Sequence, residues 1–195
     1  MSETETLESH GFELDKAGKV KSFNGNLFSK QLLKEYTLRF ARDGFFYSYD
    51  SETGVWLPVT KVEMDYFIRQ YMDEVAPDLW TRGYANACIE SLKSKVYCAD
   101  DPNAQKDFIN LQNGMLQISS GRLRKHSQKY FSTVQLPFEF DSEAECPLFL
   151  KYLHDVFEDD EERIRLAQEI VGYLLTFEMK AQKAFLLYQN KRWNL

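Results

Sequence analysis

Arg122, Arg124, Lys125, His126 and Lys129 stand close together and run directly into Tyr130 and Phe131. Fixed positive charges beside aromatic rings can track a nucleic-acid backbone and stack a base. A local basic run on an acidic protein can equally be a solvated loop whose rings turn into the core. Arg122, Arg124, Lys125 and Lys129 are the candidate nucleic-acid contacts. A second concentration of charge is Asp155, Glu158, Asp159, Asp160, Glu161 and Glu162. Hard cations bind several carboxylate oxygens, but this run lacks the spacing of a calcium loop. It falls where one expected helix ends and another begins, so helix-end solvation is the preferred reading and no metal is expected.

Other reactive side chains form no pattern. His10, His126 and His154 have no Cys or His partner at ligand spacing, and Cys88, Cys98 and Cys146 contain no Cys-x-x-Cys pair. No Gly-x-Ser-x-Gly nucleophile motif occurs. No catalytic, cofactor-binding or metal-binding residue is therefore expected. Trp56 and Trp80 read as core anchors, and Trp193 as an exposed residue beside Lys191 and Arg192.

The elements that must position the basic run follow from pattern. The 195 residues carry 24 Lys and Arg against 30 Asp and Glu, a net charge of -6, so no global positive field draws the chain to nucleic acid. Any such contact must be local. With 44% hydrophobic and 15% aromatic residues the chain can build a core. An odd number of cysteines, an acidic start and no apolar run of about 20 residues point to a reduced, cytoplasmic protein without a membrane span.

Residues 1–22 are polar and acidic and are expected to form a mobile leader. Ser29 is placed to cap a first helix through Leu32, Leu33, Tyr36 and Phe40. Aromatic strands from Phe45 and from Val55 to Leu57 predict a hairpin, and Thr60 with Glu63 predicts a capping box opening a helix that ends near Val75. A third helix is expected over 84–96. Asn113-Gly114 marks a tight hairpin turn between Phe108–Leu111 and Met115–Ile118, Gly121 a second turn, and 133–140 a further strand interrupted by Pro137. Pro147 opens a helix with the stripe Leu148, Phe149, Tyr152, Leu153, Val156 and Phe157, and Asp160 caps the next. The run 184–188 reads as a strand buried on both faces. The expected class is α+β, mostly helical with two or more short antiparallel hairpins, closing in a helical segment and one orphan strand.

Four stretches carry a resemblance: Phe108-Ile-Asn-Leu-Gln-Asn-Gly-Met-Leu, Cys146-Pro-Leu-Phe-Leu, Glu169-Ile-Val-Gly-Tyr-Leu-Leu, and Ala181-Gln-Lys-Ala-Phe-Leu-Leu-Tyr188. In that order they resemble the region preceding the superfamily 3 helicase domain of phage and plasmid primase-helicases, related to poxvirus-type replication ATPases. The resemblance implies a mixed α+β pre-helicase domain over 23–140, a helical collar-like segment over 141–183, and, over 184–195, the first strand of an ATPase core followed by a divergent tail. Family members continue from that strand into a glycine-rich loop that holds ATP and magnesium. Here the strand is followed by Gln189-Asn190-Lys191-Arg192-Trp193-Asn194-Leu195, with no glycine to converge backbone amides on a phosphate and no hydroxyl for magnesium. The expectation is a family member cut short of its motor, taking part in DNA replication by contacting single-stranded DNA and other replication-protein subunits, with self-assembly into a homo-oligomer. The alternative is a freestanding interaction protein that modulates assembly of full-length replicative helicases.

Overall fold

The computed structural model describes residues 3–178, 180, 182 and 184–186. It divides into two compact units, Met1–Ser142 and Glu143–Leu195. The first holds helices α1 (Glu3–Ser9), α2 (Gly25–Glu35), α3 (Lys61–Val75) and α4 (Arg82–Lys95). Its strands are β1 (Phe12–Leu14), β2 (Val20–Phe23), β3 (Leu38–Phe40), β4 (Phe46–Asp50), β5 (Val55–Val59), β6 (Phe108–Leu111), β7 (Gly114–Gln117) and β8 (Arg122–Arg124). They form three small antiparallel sheets, β1-β2, β3-β4-β5 and β6-β7-β8. The architecture is α+β, as the pattern implies.

The acidic leader is not free of structure. Residues 3–23 supply α1, β1 and β2, and Phe12 is buried in the main core beside Phe28, Leu32, Met64, Ile68, Met72, Cys88 and Leu92. Composition averages over a segment and misses one aromatic anchor: Phe12 packs against Phe23, with ring centroids 4.9 Å apart.

Helix α2 begins earlier than expected. Asn24 is the cap, its Oδ1 accepting from the amides of Asn26 and Leu27 at 3.0 and 3.3 Å. Ser29 is not a cap but a buried residue inside the helix, its Oγ donating to the carbonyls of Gly25 at 2.6 Å and Cys88 at 3.2 Å. A Cβ on Gly25 would approach the Ala87 carbonyl carbon to 2.8 Å, so small residues let α2 and α4 cross closely. Phe40, expected on the first helix, belongs to β3, because Leu38–Phe40 pairs with β4 and this tertiary pairing outweighs the helical spacing. The β4-β5 hairpin forms as the pattern predicts. So does the capping box, with Glu63 Oε2 accepting from the Thr60 amide at 2.7 Å.

The β6-β7 turn is displaced by one residue: Leu111 pairs with Gly114, leaving Gln112 and Asn113 as the loop. Glycine at 114 serves a positive φ of 152° and a close approach, since a Cβ there would collide with the Arg124 carbonyl of β8. Residues 133–140 form no strand. A single bridge joins Leu136 to Leu111, and Pro137, without an amide hydrogen, cannot extend the ladder.

The second unit contains α5 (Pro147–Phe157) and α6 (Glu161–Leu174). Glu158 and Asp159, with φ of 56° and 60°, reverse the chain between them, and Asp160 Oδ1 caps α6 by accepting from the Arg163 amide at 3.1 Å. Among this unit's described residues only Leu153 and Ile164 are buried. The expected inward stripe is therefore split, with Leu148, Tyr152 and Val156 exposed. Of the expected strand over 184–188, Ala184, Phe185 and Leu186 carry no strand pairing, since a strand covered on both faces needs neighbours to bond. Leu187, Tyr188 and the tail with Trp193 lie outside the described residues.

Candidate nucleic-acid interface

The basic run occupies the edge of the third sheet. Gly121, with φ of 65°, turns the chain into β8, where Arg122 pairs with Gln117, Leu123 with Leu116 and Arg124 with Met115. Alternation places Arg122 and Arg124 on one face of the strand and Leu123 on the other. Arg122, Arg124, Lys125 and Lys129 are all exposed, and among the described residues none of them forms an ion pair. Charges on a short edge strand also discourage edge-to-edge pairing with other chains, which gives β8 a structural reason to be basic.

Arg124 is oriented by neutral groups. Its Nε and Nη2 donate to Gln117 Oε1 at 3.1 and 2.8 Å, while Gln117 Nε2 donates to Asp107 Oδ2 at 2.9 Å. Asp107 also accepts from the Ser119 hydroxyl at 2.7 Å and the Ser119 amide at 2.8 Å. These bonds, led by the Gln117 amide, hold the Asp107 carboxyl below the usual carboxylate range. A carboxylate thus braces the turn and the Arg124 fork through Gln117.

The aromatic half of the motif is turned inward. Phe131 is buried with Ala41, Tyr47 and Trp56, its ring 5.5 Å from that of Trp56. Tyr130 leans on Phe108 at 4.8 Å. Phe131 is therefore an anchor that fixes the loop, not a surface on which a base can stack, and the pairing of charge with a free Phe ring is corrected here. The physical reason is area: a buried Phe removes a large apolar surface from water that an exposed one leaves there.

Sequence reasoning missed the groups that pin this loop. The Arg39 guanidinium lies over Trp56 at 4.5 Å and Phe131 at 4.9 Å and donates to the Gln128 carbonyl at 2.7 Å. Its signal in sequence is only the short alternation Leu38-Arg39-Phe40. Asn110, buried, donates from Nδ2 to the Gly54 carbonyl at 3.2 Å and accepts at Oδ1 from Gln135 Nε2 at 3.0 Å. His126 Nε2 sits 3.1 Å from Asn110 Oδ1 and 2.9 Å from the Leu111 carbonyl. Both neighbours are acceptors, so Nε2 carries the proton. His126 is thus a buttress of the loop.

Burial alone pushes the Cys88 thiol up to about 12. Burial, reinforced by the bond to Asp43, pushes the Tyr47 phenol up to about 12. In the acidic run Asp155 pairs with Lys151 at 2.8 Å, Asp160 with Arg163 at 3.1 Å, and Asp159 lies 2.9 Å from His154 Nδ1. Among the described residues no three His, Cys, Asp or Glu side chains come together as a metal site. No helix among them is long and apolar enough to cross a membrane.

A family model described as D5 N terminal like matches residues 29–158. The match begins within α2 and runs through α5, with all of β3 to β8 and the basic edge. No curated protein matches the chain.

Proposed function

The chain belongs to the D5 N-terminal-like family, the N-terminal domain of D5-like primase-helicase proteins, and from that premise we propose that it serves DNA replication as a non-catalytic module. In this reading Arg122, Arg124, Lys125 and Lys129 track the backbone of single-stranded DNA, and the α5-α6 unit joins partner subunits. The observation that carries the DNA contact is the exposed basic edge, with Arg124 held through Gln117 to Asp107 and the following loop held by the contact of His126 with Asn110. With Phe131 inward, binding would be electrostatic and tolerant of sequence.

ATP hydrolysis is assigned to no residue of this sequence, which contains no Gly-Lys-Ser or Gly-Lys-Thr loop. Calorimetric titration with ATP and magnesium tests that part: absence of binding agrees, whereas micromolar magnesium-dependent binding contradicts it. Anisotropy of a labelled single strand tests the other. Binding competed by unlabelled single strand agrees, and no binding at low salt contradicts it.

A second reading, that the chain modulates assembly of full-length replicative helicases in the cytoplasm, is favoured by the exposed apolar side chains of α5 and α6. Mixed oligomers with a full-length homologue would distinguish it.

A further inference from the structure

Arg39 is a cation held in an apolar corner. It lies in the middle of β3, paired with Tyr47, and alternation and register put Arg39, Tyr47 and Trp56 on one face of the β3-β4-β5 sheet. Phe131 packs on that face, its ring 5.1 Å from Tyr47 and 5.5 Å from Trp56. The guanidinium stands against Trp56 at 4.5 Å and Phe131 at 4.9 Å.

The side chain is half-buried, yet no carboxylate answers its charge. Among the described residues Arg69, Arg82, Arg163 and Arg165 each lie within 3.5 Å of an Asp or Glu, whereas Arg39 forms no ion pair. A guanidinium carries five N–H donors in a planar fork. One Nη2 donor goes to the Gln128 carbonyl at 2.7 Å, and among the described residues the rest of the fork meets no acceptor. A partly desolvated cation without an anion is costly. The two rings and the carbonyl offset part of that cost and fix the fork, so an arriving phosphate would find donors already oriented.

The place of this fork matters. Gln128 belongs to the loop that leaves β8, with Lys125 before it and exposed Lys129 next to it. The chain from Arg124 to Gln128 spans at most about 14 Å even when fully extended. Arg39 therefore stands beside the basic edge, although it comes from a different sheet and far earlier in the sequence.

Resting on the DNA contact proposed above, we infer that Arg39 is a phosphate-binding residue of the single-strand track. Its unused N–H groups take a backbone phosphodiester beside Lys129, and the track continues from β8 as far as β3.

Anisotropy of a labelled thymidine 12-mer, read across a salt series, tests this with Arg39→Met, Arg39→Lys and, as a control that removes the same charge from an acid-paired site, Arg69→Met. The slope of log affinity against log salt should be shallower by about 0.7 in Arg39→Met, with affinity about tenfold lower. Arg39→Lys should restore the slope but not the full affinity, because a point charge replaces the fork. Arg69→Met should leave the slope unchanged. A merely structural Arg39 would lower the thermal midpoint in both Arg39 variants and leave the slope at the wild-type value. Should Arg39→Met not fold, the Nε–H resonance of Arg39 in the wild-type chain, followed by NMR during titration with the same 12-mer, reads the contact directly and should shift at saturating strand. A wild-type slope in folded Arg39→Met, or an unmoved Arg39 resonance while the 12-mer binds, would overturn the assignment and leave the basic edge of β8 standing. No binding of the 12-mer by the wild type at low salt would overturn both.

Discussion

Replacing Gly54 by Ala should damage the basic edge from a distance. Gly54 lies in the β4-β5 loop with φ of 75°, a conformation that costs an L-residue about 1 kcal/mol. A Cβ there would also collide with the His126 imidazole, Cγ and Cδ2 included, and would press on the His126 Cβ at 2.7 Å. His126 must then withdraw from Asn110 and Leu111, losing hydrogen bonds with a net value of about 1 kcal/mol. Together the variant should lose about 2 kcal/mol. Urea unfolding followed by Trp56 fluorescence measures this, because that indole is buried beside Phe131 and donates to the Tyr130 carbonyl at 2.9 Å. Removing the imidazole first, as His126→Gly, should cut the added cost of Gly54→Ala to about 1 kcal/mol, the backbone part alone. A cost below about 0.5 kcal/mol, or one unchanged by His126→Gly, would refute the placement of the loop against His126.

Two further outcomes follow from side chains around the core and the turn. In the native chain a thiol reagent at neutral pH should modify exposed Cys146 quickly and buried Cys88 only on unfolding, because burial pushes the Cys88 thiol up to about 12; equal rates would contradict that packing. Asp107→Asn should lower the thermal midpoint at pH 7. The Asp107 carboxyl titrates lower in the folded chain than in the unfolded one, so its stabilisation is complete above the unfolded value and disappears as pH falls through the folded value. The gap between Asp107→Asn and wild type should therefore narrow on acidification, and a gap that does not narrow as pH falls would deny Asp107 its bracing role.

Elements set by local chemistry were legible in the sequence. The Thr60 capping box, the Asp160 cap and the two hairpins depend on residues near one another in the chain. Elements set by distant partners were not: β3 exists because β4 is beside it, and Ser29 reads as a cap until Cys88 is seen across the helix crossing. The site shows the same division. The charges of β8 stand out in the sequence, whereas the direction of Phe131 is decided by Tyr47 and Trp56, and the buttress from Asn110 and Gln135 spans positions with no shared pattern.

The most direct measurement is the salt dependence of single-strand affinity for the wild type and for Arg122→Ala/Arg124→Ala/Lys125→Ala. Each phosphate contact contributes about 0.7 to the slope of log affinity against log salt, so the triple variant should bind more weakly with a slope shallower by about 2. A slope and affinity identical to wild type would show that the basic edge touches no nucleic acid.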